Sequence, residues 1–187
     1  LPRKTEVIGY NQKGMFLAMS LDDFVNNYIT SYIDLQNFSG LEFEEKVCID
    51  VANGNIPSLH QAIREAKEIH GDKLIIMSGN VSSLDAFIEL ARSGCDYIRV
   101  GIGGSSGCNT TSNTGVGQKD LRKLIKKCYN ERDEYITFAR SIQERRDGQV
   151  QGVFGGWTEE ELARINVSKV KIVADGITSY VNKCIEK

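Results

Sequence analysis

Short apolar runs alternate with longer amphipathic stretches along most of the chain, at intervals of about 25 residues. The runs cover residues 15–19, 46–51, 74–77, 97–100 and 170–174, and their length suits strands buried in a parallel sheet. The stretches between them read as helices with identifiable ends. Ser20-Leu21-Asp22-Asp23 places a capping hydroxyl ahead of first-turn carboxylates, which predicts a helix to about Ile33. Pro57 opens the next helix, which carries Leu59, Ala62, Ile63, Ala66 and Ile69 on one face and stops at Gly71-Asp72. Ser82 and Ser83 can cap a helix from Leu84 to Ser93, with Gly94 as its stop. Strand, short loop, helix, strand is the signature of βα units and a parallel sheet. Residues 1–14 read as a lead-in or partly ordered loop.

After Gly117 the rhythm breaks. Residues 119–146 predict one long, highly charged helix or a helical pair, and 148–156 a glycine-rich turn or hairpin. Thr158-Glu159-Glu160-Glu161 is a capping box opening a short helix, after which the last apolar run ends in Asp175-Gly176. The charged segment, with Arg132, Arg140, Arg145 and Arg146 among Glu131, Asp133, Glu134 and Glu144, reads first as a solvated helix face. An oligomer contact or a lid is the alternative.

Composition narrows the function classes. A chain of 187 residues, 41% apolar and 26% charged, fits one soluble globular domain with a substantial core. A net charge of −2 argues against a broad nucleic-acid or anionic-membrane surface. No apolar run nears the roughly 18 residues of a membrane span, and LPRKTEVIGY does not read as a signal peptide. Five cysteines, at 48, 95, 108, 128 and 184, form no CxxC pair or zinc spacing, which points to a reduced, cytoplasmic protein. His60 and His70 fall on the second helix as surface or packing residues, leaving no His-rich metal site.

Candidate chemistry gathers at the strand ends. Four strands finish in polar or glycine-rich segments: Asp50-Val51-Ala52-Asn53-Gly54, Gly79-Asn80, the loop after Val100, and Asp175-Gly176. Parallel α/β folds place ligand sites at such C-terminal ends, so the four would share one face. The plainer reading is that Asn and Gly end strands and Asp caps the next helix. Residues 97–117, YIRVGIGGSSGCNTTSNTGVG, form the richest of these segments. Glycines at 101, 103, 104 and 107 would let backbone N–H groups face an anion, with Cys108 at the loop's far edge. That cysteine is a candidate nucleophile, or else a small buried hydrophobe.

These residues carry a resemblance. Val100-Gly101-Ile102-Gly103, Cys108, Thr110 and Thr114-Gly115-Val116-Gly117 fall on the spacing of the active-site loop shared by the IMP dehydrogenase and GMP reductase family. CIDVANGN at 48–55, SGNV at 78–81 and VADG at 173–176 match three further strand ends of that family, and the DVANG form leans to the reductase branch.

The resemblance implies a (β/α)8 TIM barrel, a single domain over 1–187, with 119–167 an extended helical insertion after the active-site loop. It implies NADPH-dependent conversion of GMP to IMP, with Cys108 forming a covalent thioimidate at C2 of the purine and Thr110 shuttling protons. NAD-dependent IMP dehydrogenation is the alternative. So is a nucleotide-binding pseudoenzyme, and blander still is a structural α/β domain.

By the same resemblance Asp50, Val51, Ala52, Ile102 and Gly103 would contact the nicotinamide. Ser106, Asp175, Gly176 and Asn80 would bind the nucleotide, Ser106 at its phosphate and Asp175 at its ribose. Main-chain carbonyls of Gly103, Ser105 and Cys108 would hold potassium. A homotetramer is expected, with no nucleic-acid or membrane partner. The chain departs from the family pattern at Ser105, Gly107, Thr111 and Ile177. Only five or six strands are countable where a barrel of about 250 residues has eight, so the barrel is expected to be incomplete in these residues.

Overall fold

The computed structural model describes residues 7–9, 15–37, 44–101, 118–147 and 158–174. Six strands form one sheet in chain order: β1 (Val7–Gly9), β2 (Met15–Met19), β3 (Glu45–Asp50), β4 (Leu74–Val81), β5 (Tyr97–Val100) and β6 (Lys171–Ala174). β1 is antiparallel to β2, and every later neighbouring pair is parallel. The expectation of a parallel α/β sheet therefore holds. The strand at 7–9 was not foreseen: three residues, VIG, are too short to show an alternating pattern. β4 also runs further than the apolar run 74–77, through Ser78-Gly79-Asn80 to Val81, because both flanking strands continue to supply backbone partners.

Helices connect the parallel strands. α1 (Leu21–Val25) starts at Ser20, whose side chain accepts from the Asp23 N–H, and continues as a π-helical turn over Asn26–Thr30. α2 (Pro57–His70) begins on its proline and ends at Gly71, whose φ of 56° suits a residue without a side chain. α3 (Leu84–Arg92) is capped by Ser83 as its sequence predicts. α4 (Gln118–Asp147) is one unbroken helix of 30 residues, not a pair, and by its rise is about 45 Å long. α5 (Glu159–Lys169) opens on the capping box of Thr158 and Glu161. The glycine-rich 148–156 segment lies outside the described residues.

Side chains alternate between two apolar layers. Val47, Ile49, Leu74, Ile76, Ile98 and Val100 join Leu59, Ile63, Phe87 and Leu90 of α2 and α3 in the main core. The neighbouring positions Phe16, Cys48 and Met77 form a second cluster on the other face, flanked by Ala18, Ile75, Tyr97 and Val173. Phe16 meets Tyr97 edge-on at 5.1 Å. A sheet apolar on both faces is one meant to be covered on both, as parallel sheets are.

α4 shows why a charged sequence can still dock. Leu121, Ile125, Cys128 and Ile142 are buried, while Arg122, Lys123, Lys126 and Lys127 are exposed. The seam is narrow, so the apolar signal is diluted by the charges around it.

Candidate functional site at the strand ends

Asp50 closes β3, and its register partner on β4 is Gly79, which in turn pairs with Arg99 on β5. Three successive strands thus bring Asp50, Gly79 and Arg99 into one row on the face away from the helices. Arg99 reaches across the glycine to Asp50, Nη1 donating to Oδ1 at 3.4 Å. A Cβ on Gly79 would sit 2.6 Å from the Arg99 carbonyl oxygen and 2.8 Å from its Cβ, and the φ of 148° is itself a glycine conformation. The close approach of β4 and β5 here therefore depends on that glycine. Asp50 keeps 65% of its side chain exposed, so the carboxylate is oriented by Arg99 and still open to a ligand.

The neighbouring ends are tied by hydrogen bonds. The Gly54 N–H donates to the Asn80 carbonyl at 2.9 Å, and the Gly101 N–H to the Val81 carbonyl at 2.8 Å. The Asn80 side chain donates through Nδ2 to the Gly101 carbonyl at 2.7 Å. The ends of β3, β4 and β5 are thereby joined at Gly101, seven positions before Cys108 in the sequence.

Of the residues expected in the site, Asp50, Val51, Ala52 and Asn80 are described, and they lie together at the C-terminal ends of β3 and β4. Asp50 faces the row with Arg99, whereas the Asn80 side chain is spent on Gly101. Cys108, Thr110, Ile102, Gly103, Ser105, Ser106, Asp175 and Gly176 lie outside the described residues. The potassium assignment falls wholly there. Among the described residues no group of His, Cys, Asp and Glu could hold a metal ion. Gly79 reads from the sequence only as part of a strand end, and Arg99 is not singled out. An arginine in a four-residue strand looks like an outward, solvated position, and only the register aims it at Asp50.

The described cysteines are poor nucleophiles. Cys48, Cys95 and Cys128 are free and buried. Burial pushes the Cys48 thiol up, partly countered by the Arg99 guanidinium, and Cys95 is pushed up further with Asp96 adding to the effect. Burial takes Cys128 to about 12. A thiol held protonated does not attack. The histidines are packing residues: His70 is fully buried and His60 is 8% exposed, so neither is at the surface.

A cavity of about 1050 Å³ opens at the opposite end, where β4 and β5 begin, between α2, α3 and α5. Two ion pairs line it, Lys67 with Asp96 at 2.7 Å and Arg92 with Glu160 at 2.7 Å. In parallel α/β folds that end serves stability and the strand C-termini serve chemistry. The strand-end row is therefore the better candidate.

A parallel α/β sheet with an arginine-oriented carboxylate at its strand C-termini belongs to the α/β class, whose ligand sites lie at those ends. Residues 43–142, more than half of the chain, match the family model of the IMP dehydrogenase / GMP reductase domain, and the chain belongs to that family. It is similar to the GMP reductase of Shewanella halifaxensis, 39% identical over 122 residues, which cover 61% of this chain and 35% of that one. It is similar also to the GMP reductase of Buchnera aphidicola subsp. Acyrthosiphon pisum, 34% identical over 59% of this chain and 34% of the relative. The chain thus spans about a third of the length of these curated relatives. A crystal structure of inosine 5' monophosphate dehydrogenase from Legionella pneumophila is 35% identical over 37% of this chain and 21% of its own, with a TM-score of 0.33.

Proposed function

We propose that the chain is the cofactor- and nucleotide-binding part of a GMP reductase. The observation that carries this reading is the row of Asp50, Gly79 and Arg99, tied through Asn80 to Gly101 directly before the loop of Cys108, in a chain whose relatives are named GMP reductases. The sheet would be one sector of a (β/α)8 barrel. Its five parallel strands follow one another without a reversal of order, as in a barrel and not as at a doubly wound switch point. Residues 119–167 would be an insertion extending from that barrel. A homotetramer, a cytoplasmic location and a potassium ion on the carbonyls of Gly103, Ser105 and Cys108 complete the reading.

The described residues suit a nicotinamide cofactor, NADPH in this direction: the exposed, arginine-oriented carboxylate of Asp50 can accept from a carboxamide. When bound, the cofactor supplies a hydride. The chain's own work is on the nucleotide, held by Ser106 at its phosphate and by Asp175 at its ribose, with Gly176 and Asn80 also in the nucleotide site. The Cys108 thiolate adds to C2 of GMP, forming a C–S bond. Thr110 passes a proton to the departing 2-amino group, the C2–N bond breaks and ammonia leaves. Reduction at C2 then breaks the C–S bond, releasing IMP and returning the thiolate.

The test is NADPH absorbance with GMP for the full-length protein beside Cys108→Ala. Loss of NADPH only with Cys108 intact supports the reading. Equal turnover by the variant would end the covalent mechanism, and turnover of IMP with NAD⁺ alone would make the protein a dehydrogenase. Binding of GMP without any turnover would make it a pseudoenzyme.

A further inference from the structure

We propose that His60 is a positioning residue, holding the cofactor-side strand ends in place through a relay that runs from His60 to Gly54, Asn80 and Gly101. The proposal rests on the reading of this face as the cofactor side. His60 sits in the first turns of α2, nine-tenths buried, with Nε2 3.1 Å from the Gly54 carbonyl. A carbonyl oxygen only accepts, so Nε2 must carry the proton and the tautomer is set by this contact.

Each next link presses another strand end into place. Gly54 is gripped from both sides, by the His60 ring at its carbonyl and by the Asn80 carbonyl at its N–H. A Cβ on Gly54 would lie 3.0 Å from Val81 Cγ1 and 3.1 Å from the Asn80 oxygen, so the loop lies flush on β4. Asn80 turns its side chain the other way, to the Gly101 carbonyl at 2.7 Å, and Gly101 returns its N–H to Val81 at 2.8 Å. Asp50, Val51 and Ala52 stand at one end of this relay, and the first residue before the loop of Cys108 stands at the other. Without the imidazole donor, the loop after Asp50 would keep only one of Gly54's two links, and the cofactor would have to order it on binding. That cost falls on affinity and not on the chemical step.

The experiment uses the full-length protein, wild type beside His60→Leu, which keeps the apolar volume, and His60→Gln, whose amide nitrogen can replace Nε2. Residue-resolved amide exchange is read without ligand, and steady-state kinetics with GMP and NADPH. In His60→Leu the Gly54 and Gly101 amides should both exchange about tenfold faster, and KM for NADPH should rise about tenfold with kcat within about twofold. His60→Gln should restore all three. If His60→Leu does not fold, His60→Asn, whose amide falls short of the carbonyl, takes its place with the same expectations. Faster exchange at Gly54 with Gly101 unchanged would overturn the relay, as would a glutamine variant no better than leucine. An unchanged KM would overturn the positioning role even if the relay is intact. A wild type inactive on GMP with NADPH would remove the reductase reading, while the exchange measurement would still decide the relay.

Discussion

At the scale of single residues, the site depends on positions chosen for what they omit. Gly79 lets Arg99 cross β4 to reach Asp50, and a methyl group there would strike the Arg99 backbone. Gly79→Ala should therefore cost about 3 kcal/mol in a urea melt, from backbone strain plus overpacking, and on the proposed reductase reading it should also weaken NADPH binding. The cysteines give a second prediction. Burial disfavours the thiolate at Cys48, Cys95 and Cys128, so alkylation of the native protein at neutral pH should spare all three. Their labelling should rise only with increasing pH or on unfolding. If Cys108 is the nucleophile, peptide mapping will find it labelled first and protected by GMP. Rapid labelling of Cys48 instead would shift attention to the thiol beside Arg99.

At the scale of elements, the long helix meets the rest of the domain not only through its apolar seam but also at a small charged junction. Glu160 of α5 accepts from Arg92 of α3 at 2.7 Å and from Arg164 at 3.0 Å, and the Arg164 guanidinium lies 4.7 Å over the Phe138 ring of α4. The hydrogen bonds from Arg164 and then Arg92 hold the Glu160 carboxyl below its ordinary range. A carboxylate favoured in the folded state contributes above its ordinary pKa, and the contribution fades as pH falls through the lowered value. Amide protection in α5 should therefore decline on acidification below about pH 4.3. Glu160→Gln should show the loosened state already at pH 7 and little further change with acid. The capping box should be separable from this junction: Thr158→Ala should cost about 1 kcal/mol at the helix start without altering the acid response.

At the scale of the whole molecule, stability rests on the layer between the sheet and its helices. Phe87 is fully buried in that core, and Phe87→Ala should lower unfolding free energy by about 3–5 kcal/mol, read as a drop in urea midpoint. The elements of this layer were legible in the sequence. α2, α3 and β5 carry their own start and stop signals, and a period of two or 3.6 survives in any window long enough to show it. β1 was not legible, being three residues whose only warrant is the edge of β2. The docking of α4 was hidden because its buried seam is narrower than the charge surrounding it. Asp50 and Asn80 could be picked out as strand-end chemistry, and the loop of Cys108 by its spacing, but His60 read as one packing residue among others. The sequence by itself determined the order of elements, the parallel sheet and the family, since these follow from local period, caps and motif spacing. Only the tertiary structure decided that Arg99 serves Asp50 across a glycine and that His60 supports Gly54. Both contacts are set by register and by the approach of segments distant in the chain, and no local pattern encodes those distances.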